Sequence, residues 1–247
     1  MHRIILFFTI LTIFIMYFML LKKGKHMSKL MHKRNLNNDS IYAHYSNIGL
    51  FNYILYPKLL FTNPITVTLR KGDSLYIPKK WWHWIKSYGT IVSCTIWSTQ
   101  IDFDKPIKKK HNMTINLDDV LNEEFLIWRS DRIDDDYTTS LMNFFNNKNK
   151  NEYIITLSNH SNYINNKIIC DKYLKPQVLP HLLRNNCIDD DVNNDINFWF
   201  CSSYNDTGLH YDDQNGILYM LEGNGYKKII LFPPSDTPYL YSITKKK

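Results

Sequence analysis

The segment Thr207-Gly208-Leu209-His210-Tyr211-Asp212 holds the residue types with the clearest chemical potential in this chain. In a strand, residues i and i+2 project to the same side, so an H-x-D pair aims an imidazole and a carboxylate at one point. Such a pair supplies two of the three ligands of a 2-His-1-carboxylate facial triad, which leaves coordination positions open on Fe(II). An isolated H-x-D pair is usually a pair of surface residues, so its context decides. Downstream lies Gly225-Tyr226-Lys227-Lys228, running into the apolar Ile229-Ile230-Leu231-Phe232 and closed by Pro233-Pro234. One of those lysines facing inward is a buried cation that needs an anion; the bland alternative is a solvated Lys-Lys pair. A second run lies far upstream, from Gly72-Asp73-Ser74 through Ile77-Pro78-Lys79-Lys80 to Trp81-Trp82-His83. His83, between Trp82 and Trp84, reads either as a core histidine in an aromatic strand or as a third ligand.

Asn205 to Tyr241 resembles the first half of the JmjC / cupin-like hydroxylase core, the group that includes the asparaginyl hydroxylase of hypoxia signalling. The family pattern is T-x-x-H-x-D, then G-x-K, then L-F-P-P and an L-Y pair, and the chain carries each, the last as Leu240-Tyr241. Gly72 to His83 resembles the second half, G-D-x-L-x-I-P-x-x-W-W-H, and the likeness extends from Tyr56-Pro57 to Ile96-Trp97. The resemblance implies a mainly β protein with flanking helices, built on a cupin barrel (a double-stranded β-helix or jelly roll) that is either permuted or incomplete. It implies Fe(II) and 2-oxoglutarate as cofactors. By it, His83, His210 and Asp212 bind the metal, while Thr207 and Lys227 bind the 2-oxoglutarate carboxylate, Lys227 as the cation. The family usually has Asn six residues after the first His; here that position is Gly216, and Asn215 stands one residue earlier as the remaining cofactor-binding candidate. Thr95 stands where relatives often carry Asn.

The halves stand in the reverse of the family order, with His83 ahead of His210 and Asp212. Three arrangements are open. One permuted barrel brings His83 to His210 and Asp212, the tail of one domain is joined to the head of another, or two chains swap halves. The set contains one complement of ligands, which favours the single permuted barrel.

The elements that must position these residues follow from pattern. Residues 41–100 are β-rich, with Ile65–Leu69 alternating, a turn at Arg70–Asp73, a strand at Ser74–Pro78 and another at Thr90–Trp97. Residues 101–196 read as a connector with helices, including a short one over Asp118–Leu126 with acidic residues in its first turn. Others are expected around Thr139–Phe145 and Leu174–Leu183. Residues 185–195 form an Asn/Asp-rich loop. Residues 197–247 return to strands at Phe198–Phe200, Ile217–Met220 and Lys228–Phe232.

Residues 4–21 are an unbroken apolar or weakly polar run, which as a helix spans roughly 27 Å, close to the thickness of a bilayer's hydrocarbon core. Lys22, Lys23 and Lys25 follow directly, and only Arg3 precedes. Residues 1–22 therefore read as a single-pass transmembrane signal-anchor, residues 23–40 as a basic linker, and the body as cytoplasmic by the positive-inside rule. The net charge of +7 owes much to that linker and to Lys245–Lys247, so it does not mark a nucleic-acid surface. Cys94, Cys170, Cys187 and Cys201 form no C-x-x-C pair, which argues for buried free thiols over a zinc site. The Asp134–Asp136 and Asp189–Asp191 runs read as solvated loops. The function implied is a membrane-anchored Fe(II)/2-oxoglutarate dioxygenase that hydroxylates or demethylates a protein side chain. The other reading is a non-catalytic cupin-like remnant or binding protein.

Overall fold

Thirteen strands and three α-helices are seen in the computed structural model, which describes residues 43–48, 55–98, 102–129, 136–156, 164–184 and 196–242. The early strands are β1 (Ala43–Tyr45), β2 (Ile65–Leu69), β3 (Asp73–Ile77), β4 (Trp82–Tyr88) and β5 (Ile91–Ser98). The late ones are β10 (Ile196–Cys201), β11 (Tyr204–Asp212), β12 (Asn215–Glu222) and β13 (Tyr226–Phe232). Between them lie β6 (Ile107–Lys110), β7 (Glu124–Arg129), β8 (Tyr137–Ser140) and β9 (Glu152–Ile155). The helices are α1 (Leu141–Asn147), α2 (Ile164–Tyr173) and α3 (Lys175–Arg184).

Two antiparallel sheets face each other as a jelly roll. One has the order β1-β11-β4-β13-β2 and the other β6-β3-β12-β5-β10-β9-β7-β8. Early and late strands interleave in both: β4 lies between β11 and β13, and β5 lies between β10 and β12. Both halves of the sequence thus build one barrel within one chain.

Side-chain parity explains the layers. On β12, Leu218 and Met220 join Leu69, Leu75, Ile229 and Leu231 in a cluster lining the barrel interior. The alternate residues Ile217, Tyr219 and Leu221 face the other way, into a larger cluster with Phe198, Phe200 and the helix residues Leu174, Val178 and Leu182. A strand buried on both faces reads as the near-continuous apolar run seen at Ile217–Leu221. On the other sheet, Trp82, Trp84, Leu209 and Phe232 point outward under a strap formed by Ile48, Leu55, Tyr56, Leu59 and Leu240. Each fully buried side chain of this size contributes about 1.5–3 kcal/mol. The strap joins the two ends of the described chain: Ser46 bridges to Ser242, and Asn47 N–H donates to the Tyr241 carbonyl at 3.0 Å.

The expected helix over Asp118–Leu126 is instead a 3-10 turn, Asp118–Val120, followed by strand β7. Phe125 and Ile127, two apart and fully buried, obey a strand period that pairing with β8 and β9 enforces. The segment between the halves holds helices α1–α3 and also strands β6–β9, which extend the eight-stranded sheet. The apolar run 4–21, its basic flank, Cys187 and the Asp189–Asp191 loop lie outside the described residues. Among the described residues, no helix is long and apolar enough to cross a membrane.

Candidate metal centre

Strand β4 pairs antiparallel with β11, and the register sets His83 opposite His210. Trp82 and Trp84 are committed to the outer cluster, so His83 between them turns into the barrel. Ile85 packs against the interior cluster and Ser87 is buried, in keeping with the same inward parity.

β11 achieves its match through a bulge. Asn205 is opposite Ser87 and Asp206 opposite Lys86, yet Leu209 is opposite Trp84. Thr207 and Gly208 therefore share the single place facing Ile85. The extra residue reverses the parity of everything beyond it. Buried Asn205 is odd-numbered, like inward-facing Ser87, while beyond the bulge the even-numbered His210 and Asp212 turn to the His83 side. Gly208 takes a left-handed φ of +72°, which the bulge requires and which an L side chain rarely adopts. Thr207 Oγ1 accepts from Ile85 N–H at 3.3 Å, so a side chain replaces the ladder carbonyl that the bulge removes.

The result is a compact donor set. Ligand atoms of His83, His210 and Asp212 lie within 4.8 Å of one another, and the two imidazole centroids are 4.2 Å apart. Small side-chain rotations bring such atoms onto one ion, whose bonds to N and O are about 2.0–2.2 Å. His83 Nδ1 is 3.0 Å from the Trp81 carbonyl and His210 Nδ1 is 3.1 Å from the Gly208 carbonyl. A carbonyl accepts only, so both Nδ1 atoms carry the proton and both Nε2 lone pairs face the site. Burial, and after it the neighbouring His83, pushes the His210 imidazole down to about 4, against the opposing pull of Asp212. His210 is thus neutral at physiological pH, the form that binds metal. His83 Nε2 stands 3.4 Å from Asp212 Oδ2. Two lone-pair atoms at that separation call for a cation between them, either a metal ion or a proton.

Deeper in the barrel, Lys227 is buried, opposite Ser87, and its ammonium donates to Ser87 Oγ at 3.3 Å. Burial pushes it down to about 8. The Asn205 Oδ1 atom is buried and has no hydrogen-bond partner. A buried ammonium with a weak hydroxyl partner suits an anionic ligand such as 2-oxoglutarate that brings its own carboxylate, whereas the Asn205 Oδ1, an acceptor, calls for a donor.

Of the residues named from sequence, His83, His210 and Asp212 come together. Lys227 lies inside the barrel, two register positions deeper than Ile85, the residue Thr207 bonds. Asn215 is buried on β12 and its Oδ1 accepts from Lys79 N–H at 2.8 Å, in the turn that leads into β4. That same turn is tied to the site through Lys80 N–H, which donates to the Asp212 carbonyl at 2.7 Å. Sequence reasoning missed Asn205, Ser87 and Tyr45. Tyr45 pairs with His210 across β1 and β11 and stacks on its ring at 5.4 Å. A signal existed only for Asn205, which sits two residues ahead of Thr207 in the same motif. The three described cysteines, Cys94, Cys170 and Cys201, are buried free thiols away from this set, each pushed up by burial.

A cupin-like domain model matches the chain in two stretches, residues 46–105 and 102–247, with the break falling between β5 and β6. The chain belongs to this cupin-like family, of JmjC type. It is similar to a JmjC domain-containing protein of Acanthamoeba polyphaga mimivirus, at 32% identity over 256 residues, covering 85% of this chain and 40% of that protein. The chain thus spans two fifths of that relative's length. With that coverage the alignment takes in strands of both halves, in the order found here. No solved structure matches.

Proposed function

We propose that the chain is a JmjC-type Fe(II)/2-oxoglutarate dioxygenase that hydroxylates or demethylates a protein side chain. The observation that carries it is the pair of inward Nε2 lone pairs, on His83 and His210, converging with the Asp212 carboxylate. Fe(II) and 2-oxoglutarate, when bound, supply oxidation of an unactivated C–H bond. The chain's own residues do the rest. The backbone carbonyls of Trp81 and Gly208 hold both imidazoles in the ligating tautomer. Lys227, beside the Ser87 hydroxyl, would pair with the distal carboxylate of 2-oxoglutarate. Leu69, Leu75, Leu218, Ile229 and Leu231 keep the interior dry, which strengthens these charge contacts. Residues 4–21 would hold the domain at a membrane, its body on the cytoplasmic side.

Calorimetric titration of the detergent-solubilised full chain with Mn(II), then 2-oxoglutarate, tests the reading. One metal per chain is expected, with 2-oxoglutarate binding that depends on it, and succinate release under Fe(II) and O₂. A folded protein that binds no metal would sink the proposal.

A second reading is a non-catalytic cupin-like protein. The 3.4 Å contact between His83 and Asp212 favours it, because a proton on Nε2 satisfies that pair as an ion pair without metal. Unchanged thermal stability on adding Mn(II) would support it.

A further inference from the structure

The bulge at Thr207–Gly208 is what turns His210 toward His83, so whatever holds the bulge governs the site. We propose that Asp206 is the positioning residue of this metal centre, acting through the bulge and touching none of the ligands. The proposal rests on the reading of His83, His210 and Asp212 as one ligand set.

Asp206 is the last residue of β11 in regular register before the bulge. Its Oδ1 accepts from the Gly208 N–H at 2.9 Å and from the Trp84 indole N–H. Its Oδ2 accepts from the Tyr204 hydroxyl at 3.1 Å and faces the Lys86 ammonium at 3.7 Å. Four donors from two strands therefore converge on one carboxylate, which has about four lone-pair sites to offer. The bond to Gly208 is an i to i+2 side-chain-to-backbone contact, the geometry by which Asp stabilises a turn against regular strand. With φ at +72°, the Gly208 N–H is turned out of the ladder, and Asp206 receives it. The same Gly208 offers its carbonyl to His210 Nδ1. One residue, Gly208, thus links Asp206 on the outer face to the imidazole on the inner face.

The link to β4 is equally direct. Trp84 is fully buried and adjacent to His83. Its indole reaches Asp206, so one carboxylate ties together both strands that carry the donor set. Without it, the Gly208 N–H loses its acceptor and β11 loses its side-chain tie to β4, so the bulge loosens and His210 is no longer held firmly toward His83.

The test uses the full chain with Asp206→Ala and the milder Asp206→Asn, which keeps one acceptor oxygen. Nuclear Overhauser contacts between the His83 and His210 rings are read first, without metal. Wild type is expected to show the contact, Asp206→Ala to lose it, and Asp206→Asn to weaken it, while far-UV circular dichroism stays that of a folded barrel. Co(II) absorption and Mn(II) affinity are read second. Asp206→Ala is expected to bind roughly 10–100-fold more weakly, as loss of an outer-shell support does, with an altered Co(II) spectrum. A folded Asp206→Ala or Asp206→Asn variant with the inter-ring contact intact and an unchanged Co(II) spectrum would overturn the proposal. A wild type that shows the inter-ring contact but binds no metal would remove the functional reading and leave the role of Asp206 to the ring contact alone. If Asp206→Ala does not fold, Asp206→Asn decides by the same two readouts.

Discussion

His83 and His210 face each other across paired strands, ring centroids 4.2 Å apart, although half the chain separates them in sequence. Neither half of the molecule can make this contact alone. Alanine at His83 is therefore expected to abolish metal binding and not merely to weaken it. The loss should exceed the roughly 10–100-fold typical of a supporting residue. Mn(II) titration of His83→Ala beside wild type checks it, with circular dichroism to show that the barrel remains.

Lys227 makes the site costly to the empty fold. Burial holds its ammonium at about 8, against an ordinary 10.5. Between those values the unfolded chain binds more protons than the folded one, so stability rises with pH through that window; below about 8 the full penalty is present. That difference corresponds to about 3 kcal/mol. Lys227→Met is expected to stabilise the ligand-free protein at pH 7 by up to that amount, to flatten the slope between pH 8 and 10.5, and to lose 2-oxoglutarate binding. Urea denaturation across that pH range, with calorimetry for the ligand, provides the comparison.

The bulge glycine carries a different signature. A Cβ at Gly208 would meet nothing within 4 Å, so the effect of substitution is conformational and not steric. At φ +72° an alanine costs about 1–2 kcal/mol, and asparagine less, since it visits the left-handed region more readily. Gly208→Ala should lower the melting temperature by roughly 2–8 °C for a chain of this size, with Gly208→Asn in between. Equal melting of all three proteins would contradict the bulge geometry.

Strap and topology together predict a permutant. Because Ser46 bridges Ser242, a chain running from residue 102 to 242, then through a short linker to residues 43–98, restores the family's usual order without moving a strand. It is expected to fold and to bind Mn(II) with the affinity of the parent. A permutant that is folded but binds no metal would mean that the donor set needs the order found here.

Much of this centre could be read from residue pattern, and the reason is local. H-x-D and the Trp-Trp-His run each place a ligand by strand parity within a few residues. Ile65–Leu69 and Ile217–Met220 likewise declare themselves as strands through alternation or continuous burial. The bulge is different. Nothing near Thr207 shows that two residues will share one place, because the partner that counts them, Ile85, lies on a strand distant in sequence. Asn205 and Ser87 were hidden for the same reason: each is an ordinary polar residue until the sheet closes. Asp118–Leu126 misled in the opposite direction. Its acidic start fits a helix, but pairing of Phe125 and Ile127 between β8 and β9 outweighs a weak local preference.

The alternation of early and late strands also governs when the barrel can form. β4 finds its neighbours only in β11 and β13, and β5 only in β10 and β12. On a ribosome β2 to β5 emerge long before any of those partners exist. Until then β4 and β5 carry open edges on both sides, β3 has only β6 to pair with, and the apolar faces that later line the interior are exposed. Closing loops of that length makes barrel assembly a slow, late event governed by the last strands made. Nascent chains arrested before β10 should therefore be protease-sensitive throughout residues 65–98 and bound by chaperones, and should gain protection in a single step once β13 has cleared the exit tunnel.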